Sequence, residues 1–368
     1  MPISLPKTMP AICKLSNAPG LNYCDDVPLP EMGPRDVLVA VTHAGICGTD
    51  RHIFEWDAWS QNRVKLGITT GHEFVGNIVA VGEATQRSKI GQRVSAEGHI
   101  GCGFCEQCRT GNGHICDTVD ILGIDCNGCF APFIAVPETN IWPVHPDIPD
   151  KVAAVFDPLG NAVHTVMAAG VSGKTVLITG VGIIGLMAVT VAKAAGATRI
   201  FVTDVDPRRL ELAIQLGAER SFDARQPWVD KLRQATEGGA EVLLEMSGNA
   251  TAIRHGLESL RNGGTAALLG IPADDVSLDL SELIIFRGAT VLGINGRKMF
   301  ETWYQMENLI LSEQLELDSI ITHQIDMKDF ETGFAMMQSG EAIKVVMRIP
   351  QYESQPCQIA NSTSEQLN

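Results

Sequence analysis

The stretch from Thr175 to Gly185, TVLITGVGIIG, decides how the rest of this chain is organised. Its first five residues are uncharged and rich in β-branched side chains, the composition of a strand. Glycines follow at 180, 182 and 185, and an apolar pattern of helical period runs over residues 183–195. A lone G-x-G-x-x-G says little, but one that leaves a strand and opens a helix has the context a dinucleotide loop requires. Gly180 permits the tight turn, Gly182 lets backbone approach a pyrophosphate, and Gly185 allows close packing of helix on strand. The phosphates would sit at the helix N-terminus, where free N–H groups and the dipole favour negative charge. The other reading is a glycine-rich turn of a different α/β fold.

Further apolar runs lie at 200–202, 242–244, 266–269 and 291–294, with a helical pattern at 208–216. Strands alternating with helices imply βαβ units, hence an α/β fold with a doubly wound parallel sheet of Rossmann type. The run at 200–202 leads to Asp204, nineteen residues after Gly185. A carboxylate there accepts hydrogen bonds from a ribose diol and repels a 2′-phosphate, which favours NAD over NADP. Arg208 and Arg209 lie close behind, and a guanidinium could instead receive a 2′-phosphate.

The N-terminal third is different. Residues 37–41 and 74–81 read as strands with glycine punctuation. Residues 98–128 show no period at all, which is suspicious in a compact domain unless something other than packing holds them. Beyond 298 come helical patterns at 299–311 and 328–339 and a strand at 344–349. The tail, 351–368, is polar and expected to be disordered. There is no internal repeat.

At 368 residues the chain exceeds the size at which one core stops growing, so two domains are expected. Its hydrophobic content of 45% suits a globular protein, and its net charge of −15 argues against nucleic acid or an acidic membrane surface as partner. Residues 175–192 carry no charge and approach the length of a membrane span, but the glycine loop explains them better. No apolar run of signal-peptide length opens the chain. Ten cysteines without an export signal point to reduced thiols, metal and a cytoplasmic location.

Cys102, Cys105, Cys108 and Cys116 fall in the irregular segment with C-x2-C-x2-C-x7-C spacing. Four thiolates so close suit a closed tetrahedral zinc site that substitutes for missing core. An iron–sulfur cluster or unrelated thiols are the alternatives. Cys126 and Cys129 have no partner pair nearby and read as ordinary thiols. A second set is dispersed: Cys47, His72, Glu73 and Asp157. These residue types suit a catalytic zinc with one open position, but spacing alone does not bring them together.

Local sequence does more. CGTD at 47–50, GHEFVG at 71–76 and the four-cysteine lobe resemble the zinc-dependent medium-chain alcohol dehydrogenase superfamily. ICGTDRHIFEWDAWSQ at 46–61, EGHIG at 97–101, FDPLGNAVHT at 156–165 and GRKMFETWYQM at 296–306 are most similar to its L-threonine 3-dehydrogenase branch. The resemblance covers nearly the whole chain. It implies a GroES-like catalytic domain over 1–160 and 298–368, a Rossmann domain over 161–297, and a homotetramer. It places Cys47, His72 and Glu73 at a catalytic zinc and Asp157 beside it, where polyol dehydrogenases have a Glu ligand. The shorter Asp leaves direct ligation open beside a supporting or proton-relay role. Thr49 and His52 match a proton relay. Ile184, Asp204, Arg209, Leu269, Gly270 and Ile271 match NAD-contacting positions. Ile294 and Asn295 end the strand that approaches the nicotinamide, and related enzymes often carry an aromatic residue where Asn295 stands.

The resemblance therefore implies two zincs per subunit and oxidation of a secondary alcohol by hydride transfer to NAD, with L-threonine as the expected substrate and 2-amino-3-oxobutanoate as product. An amino acid needs charge partners. Glu97 and His99 are expected to face the ammonium and metal-bound groups, and Arg297 the carboxylate. His145 and His164 read as structural, and the stripe at 299–306 as core. A polyol, butanediol or amino-sugar dehydrogenase is the nearest rival. A non-catalytic NAD-binding protein is a remoter one, disfavoured by the intact set of candidate ligands.

Overall fold

The computed structural model describes residues 5–351, so the expected disorder of the tail lies almost wholly outside the described residues. Six strands form one parallel sheet in the order Arg220–Asp223, Arg199–Asp204, Thr175–Thr179, Ala240–Glu245, Leu260–Leu268 and Thr290–Gly293. Every residue of Thr175–Thr179 is buried, as a strand covered by helices on both faces must be. One face packs on Ile183–Ala194 and Phe156–Ala169, with Leu186, Val189, Leu159 and Val163 in one apolar cluster. The other face carries Leu177, Phe201, Leu243 and Ala266 against Trp228, Leu232 and Ile253. The uncharged stretch at 175–192 is thus a strand, a turn and a buried helix. No helix of the described residues is long and apolar enough to cross a membrane.

A second, seven-stranded sheet is built from both ends of the chain. Its path runs Ile141–Pro143, Arg93–Ala96, Glu73–Val81, Asp36–Gly45, Val345–Arg348 and His323–Asp326, with Phe133–Pro137 also on Asp36–Gly45. The two partners share one edge of Asp36–Gly45: residues 36–40 pair with 133–137, and residues 43–45 with 346–348. Helix Glu301–Leu311 returns to the parallel-sheet side, where Trp303 and Met306 are buried beside Phe156–Ala169.

Some elements are illegible in the hydrophobic pattern. Thr8–Lys14 and Asn22–Pro28 pair with a register shift between Met9 and Ala11. Pro10, which has no N–H to give the ladder, stands at that irregularity. Arg220–Asp223 is a short, polar edge strand with one buried residue, Phe222.

Candidate active site

Cys47 caps helix Gly48–Glu55, and its N–H donates to Asp50 Oδ2 at 2.9 Å. His72 and Glu73 enter from the neighbouring strand, whose first residue, Glu73, pairs in register with Gly45. A Cβ on Gly45 would lie 2.3 Å from Glu73 Oε2, so only glycine leaves room for that carboxylate. One ligand atom each from Cys47, His72 and Glu73 fall within 4.8 Å of one another. Asp157 is not among them. Its carboxylate pairs with Arg297 Nη1.

The electrostatics show what this cluster lacks. Asp50 Oδ1, His72 Nδ1 and both Glu73 carboxylate oxygens are buried without a directed hydrogen bond among the described residues. Lys344 Nζ, 2.5 Å from Glu73 Oε2, brings a fixed positive charge. Burial pushes the Cys47 thiol up, with Glu73 adding to the effect. Burial also pushes the Asp50 carboxyl up to about 6. For His72 burial acts downward, but Asp50 and Cys47 outweigh it and hold the imidazole well above its usual value. Unsatisfied buried acceptors cost about 1–3 kcal/mol each, so a divalent cation among one thiol, one imidazole and one carboxylate fits this pocket.

Thr49 and His52 lie on the helix that Cys47 caps, three positions apart and so on one face. Thr49 Oγ1 is 3.9 Å from Cys47 Sγ. His52 reaches solvent, with a 51% exposed side chain and Nδ1 2.7 Å from Asp57 Oδ2. Thr49 thus stands at the cluster and His52 at the solvent side of the same helix.

Glu97 and Arg297 require a correction. They were expected to meet a substrate's ammonium and carboxylate, but each is turned toward protein. Glu97 is 0% and Arg297 1% exposed. Arg297 Nε donates to Glu97 Oε2 at 2.9 Å, Nη2 pairs with Glu97 Oε1, and Nη1 pairs with Asp157. Trp303 Nε1 donates to Glu97 Oε2 at 2.8 Å, and His99 Nδ1 lies 2.8 Å from Oε1. Against the cost of burial, Arg297 and His99 hold the Glu97 carboxyl far below the usual carboxylate range. A guanidinium between two carboxylates has no fork left for a ligand. His99 keeps some exposure and remains a candidate for contact with a substrate.

The glycine loop follows Thr175–Thr179. Gly180 has φ +81°, and a Cβ there would lie 2.7 Å from Ser247. At Gly185 a Cβ would lie 2.1 Å from the Gly180 carbonyl, while at Gly182 it would meet nothing within 4 Å. No side chain caps helix Ile183–Ala194, so its first N–H groups are free for an anion. Asp204, Arg209, Gly180 and Gly182 line a cleft of about 510 Å³. Asp204 Oδ2 accepts from Val181 N–H at 2.8 Å and Oδ1 from Asp206 N–H at 2.9 Å. Leu269, Gly270 and Ile271 follow strand Leu260–Leu268, and Ile294 and Asn295 follow Thr290–Gly293. Ile184 stands in the first turn of the loop's helix. All lie beyond the carboxyl ends of parallel strands, where such sheets bind ligands.

Cys102, Cys105, Cys108 and Cys116 bring their sulfurs within 4.8 Å of one another. Phe104 and Cys105 N–H groups point at Cys102 Sγ, at 3.4 and 3.3 Å, and depress that thiol to about 6. This is a thiolate cage that four-coordinate zinc fits. Cys126 and Cys129 join neither cluster, and burial raises both thiols. His164 bonds the Gly296 carbonyl, and His145 lies 3.7 Å from Asp147. Sequence reasoning missed Asp50 and Lys344 at the metal cluster, and Trp228 and His255 in the cleft. Asp50 has a local signal, an acid three residues past a capping position. Lys344 has none, a single cation ahead of an apolar strand.

A parallel sheet with a glycine-loop cleft, a separate sheet carrying a buried Cys-His-Glu cluster, and a four-cysteine lobe together define a zinc-dependent dehydrogenase. The profile of the alcohol dehydrogenase GroES-like domain matches residues 33–147, and that of the zinc-binding dehydrogenases matches 184–312. The chain belongs to the zinc-dependent alcohol dehydrogenase family. It is 46% identical over 341 residues to the L-threonine 3-dehydrogenase of Chromobacterium violaceum, covering 92% of this chain and 99% of the relative. The enzyme of that name from Symbiobacterium thermophilum is also 46% identical, over 93% and 98%. Among solved structures, an alcohol dehydrogenase from Thermus sp. ATN1 superposes with a TM-score of 0.85 at 28% identity, covering 93% of this chain and 100% of the other.

Proposed function

We propose that this enzyme oxidises the C3 hydroxyl of L-threonine to a ketone, giving 2-amino-3-oxobutanoate, NADH and a proton. The observation that carries the reading is the buried cluster of Cys47, His72 and Glu73, set beside Thr49, with one ligand atom from each within 4.8 Å of the others and His72 Nδ1 and Glu73 Oε1 without a hydrogen-bond partner among the described residues. The names of the relatives support threonine. These three residues would hold the catalytic zinc, and the cysteine lobe a structural one. When bound, the catalytic zinc supplies a Lewis acid that lowers the pKa of the substrate hydroxyl. Thr49 takes the hydroxyl proton as it gives up its own, which passes outward through water to His52, held by Asp57 at the solvent boundary. The loop from Gly180 to Gly185 and the carboxylate of Asp204 hold NAD so that its nicotinamide accepts hydride. Asp157, tied to Arg297, acts as a charge beside the metal rather than a ligand. Exposed Leu280, Ile285, Phe286 and Val291 around the sheet's last strand support assembly into a homo-oligomer, which we read as a tetramer. The nine cysteines of the described residues are all unpaired, which supports a cytoplasmic enzyme.

The test is a panel of alcohols followed at nicotinamide absorbance, with metal content measured in parallel. L-Threonine is expected to exceed L-serine, butanediol and sorbitol in kcat/KM by about tenfold or more, a difference of about 1.4 kcal/mol in transition-state binding. A faster polyol or butanediol would replace threonine while leaving the chemistry. One zinc per subunit would remove the catalytic metal.

A further inference from the structure

Residues 296–299 leave the parallel sheet just past Asn295 and are gripped from several sides. His164 Nδ1 donates to the Gly296 carbonyl at 2.9 Å. Gly296 has φ +55°, and a Cβ there would lie 3.0 Å from His99 Cε1. Arg297 is clamped by Glu97 and Asp157. A Cβ on Gly113 would lie 3.1 Å from Met299 Sδ, so the lobe backbone rests on that side chain. His114, 6% exposed, meets His164 edge to face with centroids 5.5 Å apart.

Gly113 and His114 lie between the lobe cysteines 108 and 116. Glu97 and His99 lead straight into Cys102, and strand His99–Ile100 pairs with Asp120–Ile121 on the far side of the lobe. The four-cysteine lobe therefore holds this segment from two directions. The segment itself has no regular backbone structure, so these contacts set its position.

We propose that the four-cysteine lobe is a positioning element of the catalytic centre, holding Arg297 against Asp157 beside the Cys47–His72–Glu73 cluster through Gly113, His114 and the segment of Glu97 and His99 that leads into Cys102. The inference rests on the reading of that cluster as the catalytic metal site. Misplacing a reacting group by about 1 Å can cost about a hundredfold in rate, so a slackened segment acts on turnover before it acts on folding.

Three variants of the zinc-loaded enzyme test it: His114→Ala, Met299→Ala and His114→Phe. Both alanine variants are expected to keep wild-type zinc content and to bind NADH with a Kd within about twofold of wild type. They should lose about tenfold in kcat with KM little changed, and release zinc from the Cys47 cluster faster to a chelator. His114→Phe keeps a ring against His164 and should recover most of the loss. Alanine variants with wild-type kcat and wild-type zinc release would overturn the proposal. If His114→Ala loses the lobe metal, Met299→Ala, which lies outside the cysteine segment of the sequence, decides alone. Failure of the metal reading itself shows elsewhere, as full turnover by Cys47→Ser.

Discussion

Lys344 and Glu73 meet as a buried ion pair, Nζ to Oε2 at 2.5 Å, at the back of the metal cluster. The lysine also donates to the Ile46 carbonyl at 2.8 Å, which fixes it at the root of the Cys47 turn. One residue comes from the start of a strand in the first quarter of the chain and the other from the position just ahead of its last strand.

Replacing Lys344 by Met should destabilise the enzyme by about 3–5 kcal/mol, because it leaves a buried carboxylate without its partner. Urea unfolding of the zinc-loaded protein measures the loss. A midpoint unchanged from wild type would mean that Glu73 is fully satisfied without the lysine.

Cys47→Ser should lower kcat/KM by about two orders of magnitude or more, since a Lewis acid contributes several kcal/mol to this chemistry. Circular dichroism should stay unchanged, as Cys47 lies at the edge of the cluster rather than in the core. Wild-type turnover would sink its assignment as a ligand.

Cys102→Ser acts on a different zinc. The lobe lacks a core of its own, and its coordination free energy is folding free energy. The variant should lose one zinc per subunit by elemental analysis and melt at a lower temperature. An unaltered Tm would show that the lobe is held by packing alone.

Asp204→Ala removes a carboxylate that lines the cleft, is proposed to hold the cofactor ribose, and accepts from Val181 and Asp206. The ratio of kcat/KM for NAD over NADP should fall by about tenfold or more, about 1.4 kcal/mol. Arg209, already in the cleft, is placed to receive the 2′-phosphate. A preference that does not move would assign cofactor choice to other residues.

Glu138 offers a test that does not involve metal. Its carboxylate accepts from the backbone N–H groups of Gln86, Arg87 and Ser88 at 2.7–2.8 Å, and they hold it down to about 2. A depressed folded-state value stabilises above the unfolded value, near 4.5, and the gain is lost as pH falls from there toward 2. Glu138→Gln should therefore lower Tm at pH 7, with the gap between the two melting curves narrowed by pH 3 and closed only near pH 2. A constant difference at both pH values would remove the carboxylate's charge from the account.

Much of this was legible in the sequence for a physical reason. Strands buried on both faces, such as Thr175–Thr179, must be continuous apolar runs, and a glycine loop fixes where the next helix starts. Four cysteines within fifteen residues of a segment with no hydrophobic period point to a metal because packing alone does not account for that segment. What stayed hidden depends on contacts between distant parts of the chain. No local pattern joins Cys47 to His72 or shows that Lys344 stands behind Glu73. Arg297 looked like a ligand-binding residue because an arginine near a site usually is one. Its true partners, Glu97 and Asp157, lie far away in sequence, and only folding shows that the charge is already spent.

The shared edge of strand Asp36–Gly45 has a consequence for how the protein is made. Residues 43–45 wait for 346–348 to complete their sheet, while the parallel sheet is contiguous and can close once residue 293 has emerged. On the ribosome the second domain can fold ahead of the first, against the usual order of synthesis. The Cys47 cluster lacks its lysine until nearly the whole chain is out, so the charge that balances Glu73 arrives last.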